Sequence, residues 1–162
     1  MKKSFIILAA IFMALSSCTK DEVDTKKPEI DVVSPEEDDH FHPGDKIHFV
    51  CNFSDDTELA NYKIDIHFNS DGHEHSAQLK SGVVDDHGHE GHPWDYDYDG
   101  TFEEGKMSVK VDMEIQIPTE IDHDGEMEEV AEGEYHFGIY CLDKAGNQQV
   151  EFIKIAIEHD DH

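Results

Sequence analysis

The sequence predicts an all-β protein, an antiparallel β-sandwich of about seven strands, on three observations. Apolar residues recur with a period of two, turn-forming residues separate the alternating runs, and no long amphipathic helical stretch occurs. The element at 29–33 is a short candidate strand. Ile47, Phe49, Cys51 and Phe53 then alternate with His48, Val50 and Asn52, and Tyr62, Ile64, Ile66 and Phe68 alternate with Lys63, Asp65 and His67. A short strand is expected at 94–98. Met107, Val109, Val111, Met113, Ile115 and Ile117 alternate with Ser108, Lys110, Asp112, Glu114 and Gln116. Tyr135, Phe137, Ile139 and Cys141 give another such run, and 148–157 the last. Each predicts a strand with one buried face.

The N-terminus reads as a targeting segment. Lys2 and Lys3 precede an apolar run over 5–15, too short to span a bilayer, which ends in Leu15-Ser16-Ser17-Cys18. This order resembles a bacterial lipoprotein signal, which implies cleavage after residue 17 and lipidation of Cys18. The following Thr19-Lys20-Asp21-Glu22 is similar to the surface-export signal of Bacteroidota lipoproteins, which implies an outer-membrane protein facing the cell exterior. The organisation expected is a signal at 1–17, a lipidated cysteine and flexible tether at 18–28, a single sandwich at 29–158 and a His/Asp tail at 159–162.

Loss of Lys2 and Lys3 takes the formal net charge from −27 to −29. So acidic a chain disfavours nucleic acid and anionic lipid, whose phosphates require Lys and Arg. All 12 basic residues are Lys, so the bidentate fork that grips carboxylate or phosphate is also missing. Cations and basic partners suit this field.

Several segments carry a family resemblance. Gly133-Glu134-Tyr135 through Asp143-Lys144-Ala145-Gly146-Asn147 resembles the F strand and F–G turn of bacterial immunoglobulin-like domains. Pro28-Glu29-Ile30 followed by Pro43-Gly44-Asp45 is similar to their A strand and A–B turn. The chain from Cys18 onward resembles an uncharacterised family of Bacteroidota surface lipoproteins with such a domain. That likeness implies an immunoglobulin-like sandwich and a location, and little about activity. Lettered in this way, the strands run A to G, and 70–93 becomes a long, histidine-rich C–D insertion. The resemblance also implies that Cys51 on B and Cys141 on F form an inter-sheet disulfide, with two reduced core cysteines as the alternative. Ile139 stands where the family's corner tyrosine is expected, two residues before the second cysteine.

The 13 histidines carry the functional signal. On an immunoglobulin-like topology they all map to one pole, the end where the A–B, C–D and E–F connections gather, opposite the entry of the tether. Neutral imidazole with carboxylate support suits Zn²⁺, Cu²⁺ or Ni²⁺, and His-x-His in an extended segment sends both rings to one face. The candidate ligands are His73, His75, His87, His89 and His92, with His67 and His136 on neighbouring strands as a second pair facing outward. Asp85, Asp86 and Glu90 are candidates to orient the rings through hydrogen bonds. The function expected is capture of a divalent transition metal by a surface lipoprotein, with delivery to an outer-membrane transporter or other surface protein.

Other constellations compete with this one. Asp55, Asp56 and Glu58 in B–C could meet Asp143 in F–G and hold Ca²⁺, which prefers oxygen ligands, giving a Ca²⁺-stabilised structural domain. An adhesion or assembly module for a protein or glycan partner is a further alternative. Trp94, Tyr96 and Tyr98 read as strand packing rather than a sugar platform, and Met107 and Met113 as core filler. No nucleophile with a base, no phosphate-cradling glycine loop and no His-Glu-x-x-His motif occurs, so a non-enzymatic role is expected.

Overall fold

The computed structural model describes residues 23–69 and 91–159. Residues 1–22 with Cys18, residues 70–90 and residues 160–162 lie outside them, and with these His73, His75, Asp85, Asp86, His87, His89, Glu90 and His162. The described residues form ten strands: β1 (Glu29–Ser34), β2 (Asp39–Phe41), β3 (Lys46–Ser54), β4 (Leu59–Phe68), β5 (Tyr96–Thr101), β6 (Ser108–Gln116), β7 (Glu120–His123), β8 (Glu126–Glu129), β9 (Gly133–Asp143) and β10 (Gln148–Ile157). One sheet has the order β1-β3-β6, the other β2-β10-β9-β4-β5, and β7-β8 is a separate hairpin. All pairings are antiparallel except that of β2, which runs parallel to β10.

Alternation decides which side chains the sheets bury between them. From β3 come Ile47, Phe49, Cys51 and Phe53, and from β9 Tyr135, Phe137, Ile139 and Cys141, all without solvent exposure. Phe49 stacks on Phe137 across the sandwich with centroids 5.6 Å apart, and Phe53 on Tyr62 at 5.2 Å. In β4 both Leu59 and Tyr62 point inward although they are three positions apart, because a register shift between Leu59 and Asn61 reverses the parity. Met113 packs partly against this core, whereas Met107, expected as filler, is exposed beyond the start of β6.

Three expectations are corrected. The predicted 94–98 strand begins at Tyr96 and joins β4, with Tyr96 opposite Ile66 and Tyr98 opposite Ile64. It therefore lies in the second sheet, and 69–95 connects two neighbours in that sheet. Cys51 and Cys141 are free, buried thiols rather than a disulfide. Burial pushes both thiols up to about 12, so little of either is the thiolate that oxidation requires. Finally, the end of the tether is docked: Pro28 is buried, and Asn147 Nδ2 donates to the Asp24 carbonyl at 3.3 Å.

Tyr135 supplies the corner that Ile139 does not. At the start of β9 its hydroxyl donates to the Ala131 carbonyl at 2.8 Å and accepts from the Trp94 backbone N–H at 3.4 Å. Tyr135→Phe leaves both partners buried without their bond. Urea denaturation should show a loss of about 1–3 kcal/mol, whereas an unchanged midpoint would mean that the hydroxyl contributes nothing.

Register places the histidines. Phe68 at the end of β4 lies opposite Tyr135 at the start of β9, and Gly133 lies opposite Ile157 at the end of β10. β2 pairs with that same end of β10, from Ile155 to Ile157. Lys46 begins β3 opposite Gln116, the last residue of β6 and shortly before the β7-β8 hairpin. His40, His42, His48, His67, His92, His123, His136 and His159 therefore gather around one pole. The chain enters β1 at the other, where Glu29 pairs with Ser54.

Candidate metal centre

At the histidine pole, three side chains from three segments approach one another. His92, His123 and Glu128 each offer a ligand atom within 4.8 Å of the other two. Local sequence explains each position. Asp124-Gly125 makes the two-residue turn between β7 and β8 with φ of 56° and 90°, the left-handed pair that a tight antiparallel hairpin requires. That turn sets His123 and Glu128 on one face of the hairpin, with His123 Nδ1 3.2 Å from Glu128 Oε1.

His92 is held from the other side. Its backbone N–H donates to the Glu129 carbonyl at 2.7 Å, and its carbonyl accepts from the Ala131 N–H at 2.8 Å, forming an isolated bridge to Val130. Gly91 permits this approach: its φ is +99°, and a Cβ there would sit 2.6 Å from the Glu129 carbonyl oxygen. The imidazoles of His92 and His123 stack with centroids 4.2 Å apart and planes at 24°. His159 backs the same strap, with Nε2 2.9 Å from the Val130 carbonyl and its backbone N–H donating to Glu132 at 2.7 Å. It is anchored rather than part of a free tail.

Two imidazoles and a carboxylate form a donor set suited to zinc with one position open. Tetrahedral zinc with bonds of about 2.0–2.1 Å needs ligand atoms roughly 3.3–3.5 Å apart. His123 Nδ1 and Glu128 Oε1, 3.2 Å apart, come close to that spacing, and His123 is exposed at the hairpin tip.

The remaining histidines are engaged separately. His40 pairs with Glu158 at 2.9 Å and His48 with Asp112 at 2.8 Å. His67 and His136 are direct cross-strand partners with ring centroids 5.5 Å apart. They do not both face outward into solvent as expected, because His136 is only 8% exposed. His67 bonds Asp65, and that bond raises the imidazole above its ordinary value, while the same contact lowers Asp65. The histidine contribution to stability is thus fully present below about pH 6.5 and lost as pH rises through the raised value. An NMR titration should place the His67 midpoint above 6.5, and Asp65→Asn should lower it. A midpoint at or below the ordinary value would contradict the pairing.

At the opposite pole the calcium candidates divide. Asp55 and Asp143 do meet, but their third partner is Asp24 of the tether, with one carboxylate oxygen from each within 4.8 Å of the others. Asp56 instead lies 3.6 Å from Lys26, and Glu58 lies 3.7 Å from Lys144 and accepts from the Gly105 N–H. Among the predicted ligands only His92 belongs to the described histidine cluster. His123 and Glu128 went unread because 31 and 36 residues separate them from His92; the signal present was His123-Asp124-Gly125, an Asp-Gly turn. Asp24 lies in a polar segment that reads as linker, so nothing in the sequence singles it out.

The fold and site define an all-β sandwich carrying acidic and imidazole clusters at its two poles. The chain belongs to the DUF4625 family, a domain of unknown function, which it matches over residues 16–158. No functionally curated protein matches it. Among solved structures it is similar to OgpA of Akkermansia muciniphila, at 17% identity and a TM-score of 0.44 over 82% of this chain and 30% of that one. It also resembles a β-glucosidase of Listeria innocua, at 9% identity and a TM-score of 0.41 over 80% of this chain and 16% of that one. The sporulation control protein Spo0M of Bacillus subtilis is similar at 12% identity and a TM-score of 0.38, over 84% of this chain and 49% of that one. The chain thus spans less than half the length of each.

Proposed function

We propose that this protein is a non-enzymatic surface lipoprotein that captures a divalent transition metal, zinc foremost, at the histidine pole. His92, His123 and Glu128 are the resident ligands, and the histidines of 70–90 are recruited to the open position. The carrying observation is the convergence of three ligating side chains from separate segments, with Gly91 and the Asp-Gly turn holding the backbones that present them. Borderline-soft divalent ions suit this mixture of imidazole and carboxylate better than calcium does. Imidazole ligates only when deprotonated, so mild acid releases the metal, as transfer to an outer-membrane importer would require.

The lipid anchor at Cys18 and the outward orientation rest on Lys2-Lys3, the apolar run and Leu15-Ser16-Ser17-Cys18, followed by Lys20-Asp21-Glu22. An anchor on the tether side would leave the histidine pole facing away from the membrane. Calorimetric titration of the tag-free full-length chain with Zn²⁺, Cu²⁺ and Ni²⁺ tests the reading. Stoichiometric binding tighter than that of the same chain unfolded in urea is expected; equal affinity in both states would refute it.

A further inference from the structure

We infer that Asp24, Asp55 and Asp143 form a second metal site, for a hard divalent cation of the calcium type, which fastens the N-terminal tether to the sandwich. Three segments meet here: the tether, the β3–β4 turn and the end of β9. Asp55 and Asp143 are 8% and 2% exposed, an unusual depth for carboxylates in so acidic a chain. Hydrogen bonding accounts for only part of the arrangement. Asp55 Oδ1 accepts from the Thr57 and Glu58 N–H groups, and both Asp143 oxygens accept from Asn147. Asp24 Oδ1 accepts from the Lys26 N–H at 2.9 Å.

The other oxygens of two of these carboxylates are left over. Asp24 Oδ2 and Asp55 Oδ2 are the only buried side-chain polar atoms among the described residues without a hydrogen-bond partner, and both belong to this cluster. A buried charged oxygen needs compensation. Beyond the Lys26 N–H, the Thr57 hydroxyl and the Lys26 charge favour the ionised Asp24 only in part, the charge being the smallest influence, since Lys26 also pairs with Asp56 and Lys144 with Glu58.

A cation would satisfy both orphans at once. The donors are all oxygen, the set that selects calcium or magnesium over zinc. Ligands on opposite sides of Ca²⁺ lie at most about 4.6–5.2 Å apart, twice the Ca–O bond, against about 4.0–4.2 Å for Mg²⁺. Three carboxylates provide up to six oxygens, and water completes the shell. Because Asp24 sits in the tether, occupancy would fix how the domain stands on whatever precedes it.

The test is calcium titration of the EDTA-stripped full-length chain by calorimetry, with tryptic cleavage at Lys26 followed in parallel. One Ca²⁺ should bind with Kd of about 10⁻⁴–10⁻³ M, the range of extracellular modules, and should slow the cleavage. Asp24→Asn, outside every strand, should weaken binding at least about tenfold without changing the calcium-free melting temperature. Asp56→Asn should bind as the unaltered chain does. Binding weaker than about 10 mM, or an Asp24→Asn variant with full affinity, overturns the site. A His92→Ala/His123→Ala variant should keep its calcium affinity, so this inference and the zinc reading fail independently.

Discussion

Replacing His123 by alanine should lower zinc affinity by at least about a hundredfold, because even residues that only orient a metal ligand cost 10–100-fold when lost. His123 is exposed at the tip of the β7-β8 hairpin, so stability should change by no more than about 0.5 kcal/mol. His92→Ala should act alike. Gly91→Ala should also weaken zinc, although it removes no ligand, since its Cβ would collide with the Glu129 carbonyl and displace the backbone that presents His92. The informative control is His48→Ala. That ring lies at the same pole but is paired with Asp112, so its loss should leave zinc affinity unchanged. Equal weakening by His48→Ala and His123→Ala would mean that the pole binds metal diffusely, through histidine density alone.

Phe137→Ala should have the largest effect on stability, about 3–5 kcal/mol by urea denaturation. Phe137 has no solvent exposure, sits on β9 between β4 and β10, and stacks on Phe49 of the facing sheet. Its removal combines lost burial with a cavity that two hydrogen-bonded sheets cannot easily close. At this chain length the melting temperature should fall by on the order of 10–20 °C. A loss under about 1 kcal/mol would contradict the close contact between the sheets at this point.

Seven of the ten strands were legible, because period-two alternation directly records which face a sheet buries. β2 has three residues, too few to show a period, and the β7-β8 hairpin is largely exposed, so it carries no apolar stripe. Alternation does not reveal a strand's neighbour. Tyr96 and Tyr98 read equally well beside either sheet, and only their packing opposite Ile66 and Ile64 decides for the second. Sites follow the same rule. The gathering of histidines at one pole came from connectivity, and for the eight described ones register agrees. Convergence of His92 with His123 and Glu128, or of Asp24 with Asp55 and Asp143, depends on a glycine bridge, an Asp-Gly turn and a docked tether. Residue spacing in the chain does not record such contacts.

Anomalous diffraction at the zinc edge, from crystals grown with equimolar ZnCl₂, would show whether His92, His123 and Glu128 hold a metal. One dominant peak is expected, bonded at about 2.0–2.2 Å to both imidazoles and to Glu128, at the bridge between residue 92 and the strap at 129–131. Zinc distributed over several surface histidines, with none between His92 and His123, would contradict it.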